Sequence, residues 1–323
     1  AAILTIKSFS MIIKIIPFIL LSFYVLPSFS QQRLITCSLE RNADNSISII
    51  SDNRASGDYT VKLIFTSLAD YTTSSPIIAN TLLATVKPGK REILKLQNKL
   101  ASASAFQYNY LCFPGRALRK APDSSFVYLL PANAGNNIRI SKVSPPAALP
   151  AQETPGDYFG TGFVYKSGDT ICASRGGIVY DYTDNVSEGE KTDDYYKTGR
   201  NKIHIQHNDG SLGVYDILAP IQLLVRPGDI VYPGKPLGIF TIQSEKYAIL
   251  FSTWYLDEKK IMNAGNTEDK PVSSNLVYIP THFYTGANSQ LTPLQVNNSY
   301  IVQHPKEIIT AEMNKKDKKK WGF

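Results

Sequence analysis

Two histidines and two aspartates fall close together in the stretch NKIHIQHNDGSLGVYDIL, which begins at Asn201: His204, His207, Asp209 and Asp216. Imidazoles and carboxylates are the side chains that hold divalent metal ions and move protons near neutral pH. Asp169, Asp181 and Asp257 could join them in three dimensions. The spacing argues against a site built from the two histidines alone, because residues three apart on a strand point to opposite faces. The same alternation turns Asp216 away from the face that Ile217 occupies, which gives it a solvated position. His282 and His304 lie outside this region and read as surface or packing residues. The three cysteines, Cys37, Cys112 and Cys172, have no C-x-x-C spacing, so a redox or zinc-ribbon role is excluded. In an oxidising compartment one structural disulfide, Cys37 with Cys112, and one buried thiol are expected.

The segments that must position these residues read as strands. From Leu34 to about Ser141, SISIIS, YTVKLIFTSL, NTLLATVKPGKREILKL, AFQYNYLCFPG and SFVYLLP are β-branched or aromatic and separated by turn residues. Pro88-Gly89-Lys90 predicts a tight turn joining two of them, and Phe106, Tyr108 and Tyr110 alternate as one strand face should. This pattern predicts a β-sandwich over residues 31–143 with no catalytic constellation. The proline-rich SPPAALPAQETPG then forms a linker, 144–156.

Residues 157–284 make a second β-rich domain. Asp209-Gly210 between apolar runs marks the tip of a hairpin. In GDTICASRGGIVYDY a turn at Gly176-Gly177 separates two strands, and in LLVRPGDIVYPGKPLGIF Gly228, Gly234 and Gly238 mark tight corners that call for positive φ. A polar insertion between Tyr182 and Arg200 reads as a loop beside the site. The remainder, 285–323, is a C-terminal extension in which Ile308, Ile309 and Met313 stand at helical spacing and lead into a basic helix.

The chain of 323 residues opens with MIIKIIPFILLSFYVLPSFSQQ at Met11, which has the anatomy of a secretory signal. Residues 1–30 are therefore expected to be a leader with an upstream extension, its apolar run too short for a permanent transmembrane helix. The formal net charge is +7, of which Lys7 and Lys14 belong to the leader and six lysines against three acids lie between Lys306 and Phe323. Basicity is thus a property of the tail, and without interleaved aromatic strands it gives no nucleic-acid surface.

The order GDTICASRGGIVYDY, NKIHIQHNDGSLGVYDIL, LLVRPGDIVYPGKPLGIF and YAILFSTWYLD resembles the domain of peptidase family M23, the LytM or lysostaphin-like domain. The resemblance implies an all-β fold: an N-terminal β-sandwich, then a duplicated hybrid motif β-sheet domain, then the short basic helix. Members of that family are zinc endopeptidases that cut cell-wall cross-bridges. A histidine and an aspartate in H-x-x-x-D, with the last histidine of H-x-H, leave zinc one open position for a water whose pKa falls to about 7. A histidine in Y-x-H-L and the first of H-x-H polarise the carbonyl or move protons.

Carried onto this chain, H-x-x-x-D falls on Tyr158 and Gly162, the Y-x-H-L histidine on Ile217, and H-x-H on Ala248 and Leu250. His207 matches a histidine that is not a ligand. No zinc ligand survives this alignment, whereas the fold-setting Gly177, Gly210, Gly228, Gly234 and Gly238 are kept. The resemblance therefore implies a non-catalytic, cofactor-free envelope protein of a Gram-negative bacterium, of the Bacteroidota type. It would be a scaffold or regulator that binds a protein partner or peptidoglycan through Tyr158, Gly162, His207, Ile217, Ala248 and Leu250. The alternative is an active zinc endopeptidase whose ligands come from Asp169, Asp181, Asp216 and Asp257. RPGDIVYPGKPLG also resembles the corner of a biotinyl carrier domain, but the Met-Lys pair of such carriers is absent.

Overall fold

Two antiparallel sheets are built from the first part of the chain. Their strands are β1 (Ile35–Arg41), β2 (Ile47–Asn53), β3 (Tyr59–Phe65), β4 (Tyr71–Thr73), β5 (Thr81–Val86), β6 (Gly89–Asn98) and β7 (Tyr108–Pro114). One sheet runs β1-β2-β6-β4 and the other β5-β3-β7. Ile35, Ile49, Val61, Leu63, Val86, Leu94 and Leu96, drawn from both, close into one apolar cluster. Burial of each such side chain contributes about 1.5–3 kcal/mol. The turn at Pro88-Gly89-Lys90 does not close the expected hairpin. β5 before it pairs with β3, and β6 after it pairs with β2, so the turn carries the chain from one sheet to the other. Gly89, at φ +97°, makes that corner.

The computed structural model describes residues 34–99, 106–141, 159–183, 201–217, 219–241, 247–265, 275–286 and 293–323. The expected leader, the proline-rich linker, residues 184–200 of the polar insertion, and Tyr158 lie outside the described residues.

The later strands are β8 (Ala117–Leu118), β9 (Val127–Tyr128), β10 (Asn137–Ser141), β11 (Thr161–Tyr165), β12 (Thr170–Cys172), β13 (Gly177–Thr183), β14 (Asn201–Gln206), β15 (Leu212–Ile217), β16 (Ile221–Leu223), β17 (Ile230–Val231), β18 (Pro236–Phe240) and β19 (Tyr247–Asp257). Helix α1 (Glu258–Asn263) follows, then β20 (Leu276–Tyr278), β21 (His282–Phe283), β22 (Ser299–Ile301), α2 (Lys306–Ile309) and α3 (Lys315–Trp321). The main sheet runs β17-β13-β14-β15-β19-β11-β10-β22, with β20 and β8 also on β19. A smaller sheet runs β12-β18-β16, and β9 pairs in parallel with β21. The chain is all-β, and helix among the described residues is confined to these short segments.

Leu34–Phe323 forms one compact unit. β8 and β10, which precede the linker, add to the sheet that follows it. Leu111 and Phe113 of β7 share a cluster with Leu212, Val214, Trp254 and Leu256. The hairpin of β14 and β15 forms as the sequence predicts, with Gln206 opposite Leu212 and Gly210 N–H donating to the His207 carbonyl at 3.0 Å.

Gly210, Gly228 and Gly234 take positive φ, at +91°, +94° and +87°. Gly238 does not: it sits inside β18, where a Cβ would come within 3.2 Å of the Gln222 carbonyl. Gly177 opens β13 instead of forming a turn, and a Cβ there would lie 2.3 Å from the Gln206 carbonyl oxygen. Close backbone approach, not dihedral freedom, selects glycine at these two positions.

The single C-terminal helix is replaced by two. α2 stops at Thr310, and the Asn314 side chain accepts from the backbone N–H groups of Lys316 and Asp317, both at 2.9 Å, to cap α3. Ile308 packs with Leu129 and Tyr284, which fastens the extension to the body. The Cys37–Cys112 disulfide is not formed in the structure. Tyr108 reaches Cys37, its hydroxyl donating to that carbonyl at 3.2 Å. Cys112 lies four residues further along β7, a rise of about 13 Å. Burial pushes the Cys37 thiol up to about 11 and the Cys172 thiol up to about 12. Among the described residues no helix is long and apolar enough to cross a membrane.

Candidate functional site

Register assembles the site. On adjacent strands Ser141 lies opposite Gly162, Gly162 opposite Leu250, Leu250 opposite Asp216, and Asp216 opposite Lys202. Directly opposed residues share a face. A second row on that face runs Ser252, Val214, His204 and Asp181. The face therefore offers a half-buried imidazole and lysine beside carboxylates from β13 and β15. Burial, and then the charge of Lys202, push His204 down to about 4, so it is neutral at pH 7. Burial raises the Asp181 pKa, partly offset by the hydrogen bond from Tyr182 N–H. Such a surface can hydrogen-bond peptide groups.

Ala248 lies opposite Val164. Ile217 does not join Gly162 and Leu250. It is 0% exposed and packs in the main core with Ile249, Tyr215 and Phe163, on the opposite face. The expectation that it lines a groove is corrected on that ground.

His207 is likewise in the interior, 3% exposed, with its ring against Tyr128 at 5.9 Å between centres. Its Nδ1 lies 2.8 Å from the Gly176 carbonyl, which accepts the Nδ1 proton and leaves Nε2 bare. Gly213 makes room for it, since a Cβ there would sit 2.8 Å from Nε2. His204 and His207 therefore do not converge, as strand alternation predicts. His304 is a packing residue, with Nε2 at 3.0 Å from the Ala132 carbonyl, and His282 belongs to β21.

Two of the remaining aspartates are engaged in local backbone bonds. Asp169 accepts from Lys166 N–H at 2.7 Å, and Asp257 caps α1 by accepting from Lys260 N–H at 2.8 Å. Of the ligand positions carried over from the resemblance, those among the described residues do not fit zinc: Gly162 has no side chain and Leu250 has no donor atom. Among the described residues no three His, Cys, Asp or Glu side chains stand close enough to hold a metal ion. Gly162 is also crowded. A Cβ would lie 2.1 Å from Ser141 Oγ and 3.2 Å from the Ser141 carbonyl, so an aspartate there requires the Ser141 hydroxyl to swing away and its carbonyl to give by a few tenths of an ångström.

The charged centre of this region went unpredicted. Arg175, 3% exposed, follows β12 and sits on the His207 side of the sheet. It pairs with Asp209 at 2.9 Å and with Glu312 at 2.6 Å, donates to the Tyr128 hydroxyl at 3.0 Å, and lies 3.8 Å from the Phe126 ring centre. In sequence it is one arginine beside a glycine turn, and nothing in its spacing marks its partners.

The buried imidazole makes stability depend on pH. Burial, then the charge of Arg175, push His207 down to about 3, whereas an unfolded histidine titrates near 6.5. Between those values the unfolded chain binds the extra proton. Stability is then full above about 6.5 and falls on acidification by roughly 1.4 kcal/mol per pH unit, with His204 adding to the slope. Urea midpoints from pH 8 to 4.5 should show this fall, and His207→Gln should flatten it. A flat wild-type profile would refute the assignment.

No protein-family model matches the chain, and no curated protein does. Among solved structures it is similar to a putative peptidase M23 from Pseudomonas aeruginosa, at 13% identity and TM-score 0.27, over 60% of this chain and 82% of that one. It is also similar to Helicobacter pylori Csd3, at 10% identity and TM-score 0.26, over 74% of this chain and 78% of the other.

Proposed function

We propose that the chain is a non-catalytic relative of the M23 peptidases that serves in the cell envelope as a scaffold or regulator, binding a protein partner or peptidoglycan. One observation carries the reading. Positions 162 and 250, to which the resemblance assigns ligands, stand opposite each other on β11 and β19, and neither brings a donor atom. The hairpin and the glycine corners of the resemblance are nonetheless formed around them, so the framework is kept where the ligands are not. The half-buried row of Lys202, His204 and Asp181 suits recognition of peptide amides and carboxylates.

The test is zinc stoichiometry. The purified chain is loaded with zinc, dialysed, and assayed by elemental mass spectrometry for zinc per protein. The expected value is far below one per chain. One retained zinc overturns the reading in favour of an endopeptidase with ligands from Asp169, Asp181, Asp216 and Asp257, and wall digestion is then the next assay. Co-sedimentation with purified peptidoglycan separates the two binding partners: a chain left in the supernatant binds protein.

A further inference from the structure

Helix α3 places five lysines in seven residues, Lys315, Lys316, Lys318, Lys319 and Lys320, with Asp317 among them. Lys315, Lys316, Lys319 and Lys320 are exposed. Lys315 and Lys319, and Lys316 and Lys320, stand four apart, where like charges destabilise a helix. Among the described residues no carboxylate forms an ion pair with any of the five, and the nearby Glu312 is held by Arg175.

The helix is held in place despite this repulsion. Asn314 caps one end. At the other, Trp321 and Phe323 pack on Tyr232 of the body at 5.0 and 5.6 Å between ring centres. The Lys320 and Lys235 ammonium groups lie 4.6 and 5.7 Å from the Trp321 ring centre, so Lys235 extends the patch onto the body. The molecule thus keeps a fixed, self-repelling cluster of cations around one half-buried indole.

We infer that α3, with Lys235 and Trp321, is a docking surface for a membrane bearing anionic phosphate headgroups. Charge complementarity carries the assignment, and the residue types choose the partner. No arginine occurs between Lys306 and Phe323. Arginine forks select single phosphates by geometry, whereas lysines respond as point charges to the potential of a whole surface. A nucleic acid would need free ring faces for stacking, and the Trp321 ring is engaged by Tyr232 and Lys320.

The experiment is vesicle co-sedimentation of the full chain, comparing phosphatidylcholine alone with phosphatidylcholine containing phosphatidylglycerol. Each lysine near an anionic surface raises partition by roughly fivefold, so the four exposed lysines give an expected anionic preference of roughly 600-fold at low salt. The combined substitution of Lys315→Gln, Lys316→Gln, Lys319→Gln and Lys320→Gln should remove most of it, and binding of both proteins to the neutral vesicles should match. An equal preference in wild type and variant overturns the proposal, as does tighter uptake of duplex DNA. Loss of binding on adding inorganic phosphate at constant ionic strength also overturns it, since the site then reads single phosphates. Four glutamines relieve repulsion, so the urea midpoint should hold or rise. If it falls, the salt titration of the wild type decides, and salt-independent binding sinks the idea.

Discussion

Arg175→Met is expected to destabilise the protein by about 3–5 kcal/mol, the range for stripping one partner from a buried ion pair. The guanidinium is almost wholly enclosed, while side chains of Asp209 and Glu312 keep about a quarter of their exposure, 25% and 23%. Removing it leaves two carboxylates facing each other across an apolar space lined by Phe126 and Tyr128. Burial alone would raise the Asp209 pKa; Arg175, with the hydrogen bonds from Ser211, brings it below its ordinary value. That contribution is present above about pH 4 and is lost as acid protonates the folded carboxylate. In the variant this part of the acid sensitivity should vanish. Because Glu312 belongs to the C-terminal extension, residues after Ile301 should also become protease-sensitive. Urea unfolding and limited proteolysis check both, and a loss below about 1 kcal/mol would show that solvent screens the pairs.

Lys62→Met should cost about 2–4 kcal/mol by a different route. Lys62 is 1% exposed in β3, and its ammonium donates to the carbonyls of Ile261, Met262 and Ala264 at 3.1, 3.3 and 2.7 Å. These are the orphan acceptors that end α1, and a lysine from another sheet satisfies them. Methionine keeps the stem volume and abandons three acceptors at once. Lys62→Arg should not rescue, because a planar fork cannot meet three converging carbonyls. A full rescue by arginine, measured as urea midpoint, would show that charge alone matters there.

Neither of these side chains was legible. In YTVKLIF a lysine between Val61 and Leu63 reads as the solvent side of a strand, yet Val61, Lys62 and Leu63 are all buried because β3 is covered on both faces. Alternation reports burial only where one face is wet. The β14–β15 hairpin was legible because Asp-Gly fixes the turn within a few residues. The corner at Pro88-Gly89 was recognised as a turn and misassigned as a hairpin, since a turn does not say which sheet its flanks join. Strands as short as β8 and β10 carry too little pattern to announce that they pair across the linker.

For the site, the resemblance led to Gly162 and Leu250, and the register brings those two together. It failed for Ile217 and His207, where a family's spacing says nothing about which face a substituted residue will choose. Isoleucine at 217 turns to the core beside Ile249, and Asp216 turns to the other face, where it is only 7% exposed instead of taking the solvated position expected of it. The extension illustrates the same limit in reverse. Ile308, Ile309 and Met313 announced helix, but only the tertiary contacts of Glu312 and Trp321 reveal that the chain returns to the body.

That return has a consequence for how the molecule is made. The first acceptor of Lys62 lies 199 residues later in the chain, and the Glu312 carboxylate lies 137 residues after Arg175. Synthesis at 5–20 residues per second delays the first of these contacts by roughly 10–40 s. β10, too, waits for Ile301 before its outer edge is covered. Until those residues arrive, β10 keeps an open outer edge, which invites aggregation, and Arg175 has Asp209 but not Glu312. The buried guanidinium and the outer edge of β10 are thus completed by residues made much later than themselves.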